Sequence, residues 1–149
     1  MRHEPEEHFI ATWELVSFTV TSQSGEVTFP MGRDAVGQMT YEASGRMSAH
    51  LSKAGLQKFS SDTTQAATPD ETVIAWKAYV GYWGTYTVDP EKRQVTHHVL
   101  GSWFPNWVGT SQVRTYRFDR EELNLEGDLA QGHAKLVWRR LPHVTARRG

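Results

Sequence analysis

From Tyr82 to Phe118 the chain reads as three consecutive runs of alternating residues, about 82–88, 95–102 and 111–118. β-branched and aromatic residues alternate with other types in each run, and turn formers bound them. Asp89-Pro90-Glu91-Lys92 closes the first turn, and an aromatic loop, Trp103-Phe104-Pro105-Asn106-Trp107, ends at Gly109 in the second. Such spacing commits the region to an antiparallel sheet. Residues two apart share a face. One face then carries Tyr82, Gly84, Tyr86 and Val88, then Val95, His97, Val99 and Gly101, then Gln112, Arg114, Tyr116 and Phe118. This set is expected to point inward. If the strands pair symmetrically about their turns, Tyr86, His97 and Tyr116 share a row. Gly84, Val99 and Arg114 form the next, and Tyr82, Gly101 and Gln112 the one after. An inner face of this composition suits a lined cavity better than a dry core.

The flanking segments extend the pattern. A strand is expected over 9–19, with Trp13, Leu15, Ser17 and Thr19 on one face, and a short one at 27–29. A hairpin spans 37–42 and 46–51 around Ala43-Ser44-Gly45. Strands follow at 123–126 and 133–140, joined by a loop from Gly127 to Gly132. Between 68 and 79 the signal changes to helix: Thr68 at the N-cap, Pro69 in the first position, Asp70 and Glu71 in the first turn, and a stripe of Val73, Trp76 and Val80. Residues 1–8 read as a flexible arm, 9–141 as a single barrel domain and 142–149 as a basic tail.

Eight or nine sequential antiparallel strands with a partly polar inner face predict an all-β, closed up-and-down barrel, with a short helix at the open end. Tight turns at 43–45, 89–94 and 119–122 fall at one end. Long connections at 20–36, 52–78, 103–110 and 127–133 fall at the other, describing a cup with a floor and a mouth.

Several function classes are excluded by composition. The 17 acidic and 16 basic residues nearly cancel, so neither a nucleic-acid nor a membrane partner is expected. The absence of cysteine removes disulfides and thiol chemistry and is compatible with a reducing compartment. The polar N-terminus lacks the apolar run of a signal peptide, and the expected location is cytoplasmic. No nucleophile elbow, phosphate loop or dinucleotide fingerprint occurs, and no cofactor is expected.

Quoted together, Thr12-Trp13, Val36-Gly37-Gln38-Met39-Thr40-Tyr41, Gly45-Arg46-Met47-Ser48, Gly84-Thr85-Tyr86, Val95-Thr96-His97-His98, Phe104-Pro105-Asn106-Trp107-Val108-Gly109 and Gln112-Val113-Arg114 resemble the bacterial and fungal lipocalin-like domain family over about 9–140. Ala11 stands where lipocalins carry the glycine of their Gly-x-Trp motif. The resemblance implies a calycin-type barrel with a central cavity. It also implies an arginine, Arg139 or Arg140, packed over Trp13. Barrels of this kind bind apolar small molecules or catalyse cyclisations and isomerisations.

His97 is the sharpest candidate for chemistry, as a general acid or base, or else a buried histidine bonded to Tyr86 or Tyr116. Arg114 would meet a ligand anion or stabilise an enolate, with Tyr86 completing a catalytic set, or else bond backbone and tyrosine oxygens or stack in the aromatic wall. Alternation turns His98 away from His97, so the pair does not make a metal site. Tyr41, Tyr82, Val99, Gln112 and Tyr116 are candidates for the cavity wall. Trp76 and Tyr79 on the helix, with Trp103, Asn106 and Trp107 on the loop, are candidates for the mouth. The expectation is a small-molecule pocket for an apolar, ring-containing ligand with a polar or anionic group. Chemistry there would be a cofactor-free isomerase, cyclase or dehydratase; the alternatives are a non-catalytic carrier or a structural barrel. An outward stripe of Trp83, Leu100 and Val113 makes a homodimer possible.

Overall fold

The computed structural model of the protein describes residues 4–145. Among them nine strands form one antiparallel sheet: β1 (Ala11–Thr21), β2 (Val27–Thr28), β3 (Val36–Tyr41), β4 (Arg46–Ser52), β5 (Tyr79–Asp89), β6 (Gln94–Ser102), β7 (Ser111–Asp119), β8 (Glu122–Leu129) and β9 (Gly132–Arg140). Neighbours in sequence pair from β3 to β9, and β1 closes the ring by pairing with both β3 and β9. The result is an eight-stranded closed barrel, with β2 as an extra strand on the edge of β1. Closure leaves few free sheet edges.

Helix α1 (Glu4–Phe9) occupies most of the segment expected to be an arm. Phe9 enters the barrel completely and meets Tyr41, Tyr116 and Phe118 edge-on, at 5.2, 4.9 and 4.9 Å between ring centres. The Trp13 indole N–H donates to the Phe9 carbonyl at 2.9 Å. The Arg140 guanidinium lies 4.6 Å from the Trp13 ring and donates to the His8 carbonyl at 2.7 Å. Arg140 is thus the arginine over the opening tryptophan, while Arg139 points outward to Glu14 at 2.7 Å. Tight turns and this aromatic plug together make the floor.

Helix α2 (Pro69–Lys77) begins at Thr68 with a complete capping box: Glu71 N–H donates to the Thr68 hydroxyl, and the Thr68 N–H donates to the Glu71 carboxylate. It ends two residues earlier than expected, because Tyr79 and Val80 already pair with Ser52 and Leu51. Val73 and Trp76 remain about half exposed, so the expected stripe is not a buried face.

Three register differences matter for the interior. On β1 a bulge between Leu15 and Ser17 changes which side chains turn inward, so Phe18 faces the interior in place of Ser17 and Thr19. Tyr86 does pair with His97, but His97 pairs with Gln112 rather than Tyr116, and Val95 with Arg114. The strands β6 and β7 already meet at Val99 and Thr110, where the Val99 N–H donates to the Thr110 carbonyl at 2.9 Å. The intervening residues fold onto a 3-10 turn, Pro105–Trp107, instead of prolonging the ladder. A slip of four residues preserves the faces; only an odd slip inverts them. A second bulge, on β6 beside Gly84, brings Gly101 opposite Trp83 instead of into the interior. A methyl on Gly101 would sit 2.3 Å from the Trp83 ring, which covers it from outside.

The loop expected over 127–132 is instead a hairpin, with Leu129 paired to Gly132 across Ala130 and Gln131. Gly127 lies within β8 because the Arg114 side chain rests on it; an added Cβ would come within 3.0 Å of Arg114 Cδ.

Candidate functional site

The upper half of the barrel is hollow. The cavity holds about 470 Å³, within the range of roughly 300–1,000 Å³ usual for small-molecule sites. Its walls are the inward residues of the strands, among them Met39, Ala49, Leu51, Val80, Leu125 and Leu136. Pro30 and Met31 cover it from the connection between β2 and β3, and Leu129, Ala130 and Gln131 from the tip of the last hairpin. Trp103, Phe104 and Trp107 form an aromatic lip, with Trp103 and Trp107 perpendicular at 5.2 Å. Trp76 of α2 stacks on the outer side of Trp103 at the same separation, which puts the helix beside the opening.

His97 closes the base of this space. It is 1% exposed. The Tyr41 hydroxyl lies 2.5 Å from its Nε2 and the Tyr82 hydroxyl 2.7 Å from its Nδ1. Burial, then the charges of Arg114 and His98, lower its pKa to about 3, so the imidazole is neutral at ordinary pH. Burial raises the Tyr82 pKa to about 12 and lifts Tyr41 well above the usual phenol range. The partners expected for His97 were Tyr86 or Tyr116. Tyr86 instead donates to the Glu42 carbonyl at 2.9 Å, and Tyr116 packs in the floor against Phe9.

Gln112 and Arg114 lie on the cavity wall. Arg114 donates to Gln112 Oε1 at 3.1 Å and to the Val113 carbonyl at 3.0 Å. Among the described residues no carboxylate lines the cavity. Trp138 also borders it, and its buried indole N–H has no hydrogen-bond partner.

His97 and Arg114 of the expected catalytic set therefore meet at the cavity, while Tyr86 lines a separate shallow recess beside Glu6 and Ile10. Of the expected ligand contacts, Tyr82, Trp103, Trp107 and Gln112 line the cavity. Tyr41 stands behind His97, and Val99 is packed in the core. Trp76 and Tyr79 border an outer groove with Leu56 and Phe59, and Asn106 is exposed on its 3-10 turn. Phe18, Met31, Phe104 and Trp138 are cavity residues that the sequence reading did not place there. Phe18 was hidden by the bulge. His98 faces outward, as alternation required, between Thr87 and Ser111 at 3.0 Å each.

A model of the lipocalin-like domain family matches residues 10–144. The chain belongs to the lipocalin-like domain family. The 4'-hydroxy-3'-methoxypropiophenone carrier protein of Aspergillus oryzae (strain ATCC 42149 / RIB 40) is 31% identical over 111 residues, covering 66% of this chain and 100% of that protein. Among solved structures, a redesigned β-barrel matches at a TM-score of 0.46 and 12% identity, over 92% of this chain and 95% of that one.

Proposed function

We propose that the barrel binds and carries a small, mostly apolar, ring-containing molecule in its upper cavity. The observation that carries this reading is the cavity itself: about 470 Å³, walled by aliphatic and aromatic side chains, with Arg114 and Gln112 as a polar address on one side. The apolar walls supply burial and the polar pair supplies orientation. The name of the 31% identical relative, a carrier of an aromatic ketone, supports the same class of ligand.

Carriage is favoured over the isomerase, cyclase or dehydratase reading by the state of His97. Both ring nitrogens are occupied by tyrosines, and a pKa of about 3 leaves it a poor base near neutrality. Tyr86, the third member of the expected catalytic set, lies outside the cavity.

The test is a titration of intrinsic tryptophan fluorescence with 4'-hydroxy-3'-methoxypropiophenone, beside dodecanoic acid as a ring-free comparator. Trp103, Trp107 and Trp138 surround the site and report occupancy. The expected result is saturable binding of the aromatic ketone at about micromolar Kd, near −8 kcal/mol, and weaker binding of the fatty acid. Absence of binding by either molecule, together with an empty protein in native mass spectrometry, overturns the reading.

A further inference from the structure

Resting on the pocket reading above, we propose that the cavity selects its guest by ionisation state. It takes an aromatic oxyanion, a phenolate or enolate, in preference to the neutral acid of the same shape.

Around His97 the hydrogens outnumber their acceptors. Tyr41 is buried, and the partner of its hydroxyl among the described residues is His97 Nε2. Two phenol hydrogens and one imidazole hydrogen meet at two hydrogen bonds, so one phenol hydrogen is spare. Tyr41 is not on the cavity wall and Tyr82 is, and the spare hydrogen is assigned to Tyr82, with Tyr41 donating to Nε2. A neutral imidazole then carries its hydrogen on Nδ1 and donates it to the Tyr82 oxygen, 2.7 Å away. The Tyr82 hydrogen is left without an acceptor among the described residues, on a side chain that lines the cavity.

The other polar groups repeat the pattern. The Trp138 indole N–H is buried and unpartnered at the cavity wall. Gln112 has given its oxygen to Arg114, which leaves its amide hydrogens to offer. Arg114 adds a positive charge with no carboxylate partner among the described residues. Tyr82, His97 and Arg114 are the titratable groups of the lining, and Tyr41 faces His97 from behind. Gln131, an exposed amide at the rim, carries the only side-chain carbonyl of the described lining not already bonded within it. The wall therefore supplies hydrogens and positive charge. A guest's lone pairs are satisfied there, whereas a guest's own O–H loses its water and finds no deep acceptor.

Two probes of nearly the same shape separate this from simple burial: 4-nitrophenol, whose anion absorbs in the visible, and 4-nitroanisole, its methyl ether, which cannot ionise. At pH 8 the phenolate is expected to bind about tenfold more tightly than the ether. Saturating protein is expected to lower the apparent pKa of 4-nitrophenol by about one pH unit, the same tenfold factor. Arg114→Met and, as a second variant, Tyr82→Phe should each shrink that displacement and weaken the phenolate more than the ether; thermal melting verifies their folding. Equal affinity for the two probes, or an undisplaced pKa, overturns the inference and leaves the pocket reading standing. If neither probe binds while the aromatic ketone does, the inference also falls. If the ketone fails as well, the pocket reading falls with it.

Discussion

His97 sits between two tyrosines from different strands, Tyr41 on β3 and Tyr82 on β5. Its folded-state pKa of about 3 lies below the ordinary value of 6.5. Between those two values the unfolded chain binds a proton that the folded chain does not, so stability rises with pH across the window. The share of stability carried by His97 should therefore be full above about pH 6.5 and fall progressively towards pH 3. Urea unfolding at several pH values tests this, and His97→Gln should flatten the profile in that window. Tyr82→Phe removes the hydroxyl facing Nδ1; it should cost about 1–2 kcal/mol of stability and weaken aromatic-ketone binding in the fluorescence titration. The inward aim of His97 was legible because strict alternation runs through Val95, His97 and Val99. Its partners were not, because Tyr41 lies 56 residues away and nothing local encodes that meeting.

At the scale of elements, most strands were readable from alternation and turn formers, and α2 from its cap. What escaped were the irregularities. A bulge adds one residue without a distinctive composition, so the second half of β1 turned its faces unseen. The aromatic loop concealed how far β6 and β7 stay paired, since hydrophobic residues there line a mouth instead of extending a ladder. Gly84 marks the other bulge physically: a Cβ there would lie 1.9 Å from the His98 carbonyl oxygen. Gly84→Ala is expected to destabilise the protein by about 2–4 kcal/mol, as overpacking against immovable backbone, measured as a fall in the urea midpoint. By contrast, Thr68→Ala breaks an exposed capping box. It should loosen α2 by about 1 kcal/mol, seen as faster hydrogen exchange in the helix with little change in global unfolding.

For the whole molecule, closure of β1 on β9 and the aromatic plug beneath it divide the barrel into a solid half and a hollow half. The up-and-down barrel followed from strand count and connection lengths. Helix α1 did not, because its six residues are too short and polar to announce a role before the fate of Phe9 is known. Phe9→Ala should cost about 3–5 kcal/mol in urea unfolding. Under conditions where the variant is folded, its affinity for the aromatic ketone should be unchanged, since Phe9 does not border the cavity.

That bung has a consequence for how such a vessel can change over time. Cohesion is vested in one pole and, on the proposed reading, discrimination in the other, with His97 as the gasket between them. On the carrier reading, rim residues such as Phe104 and Gln131 can change with the guest without the foundation being relaid.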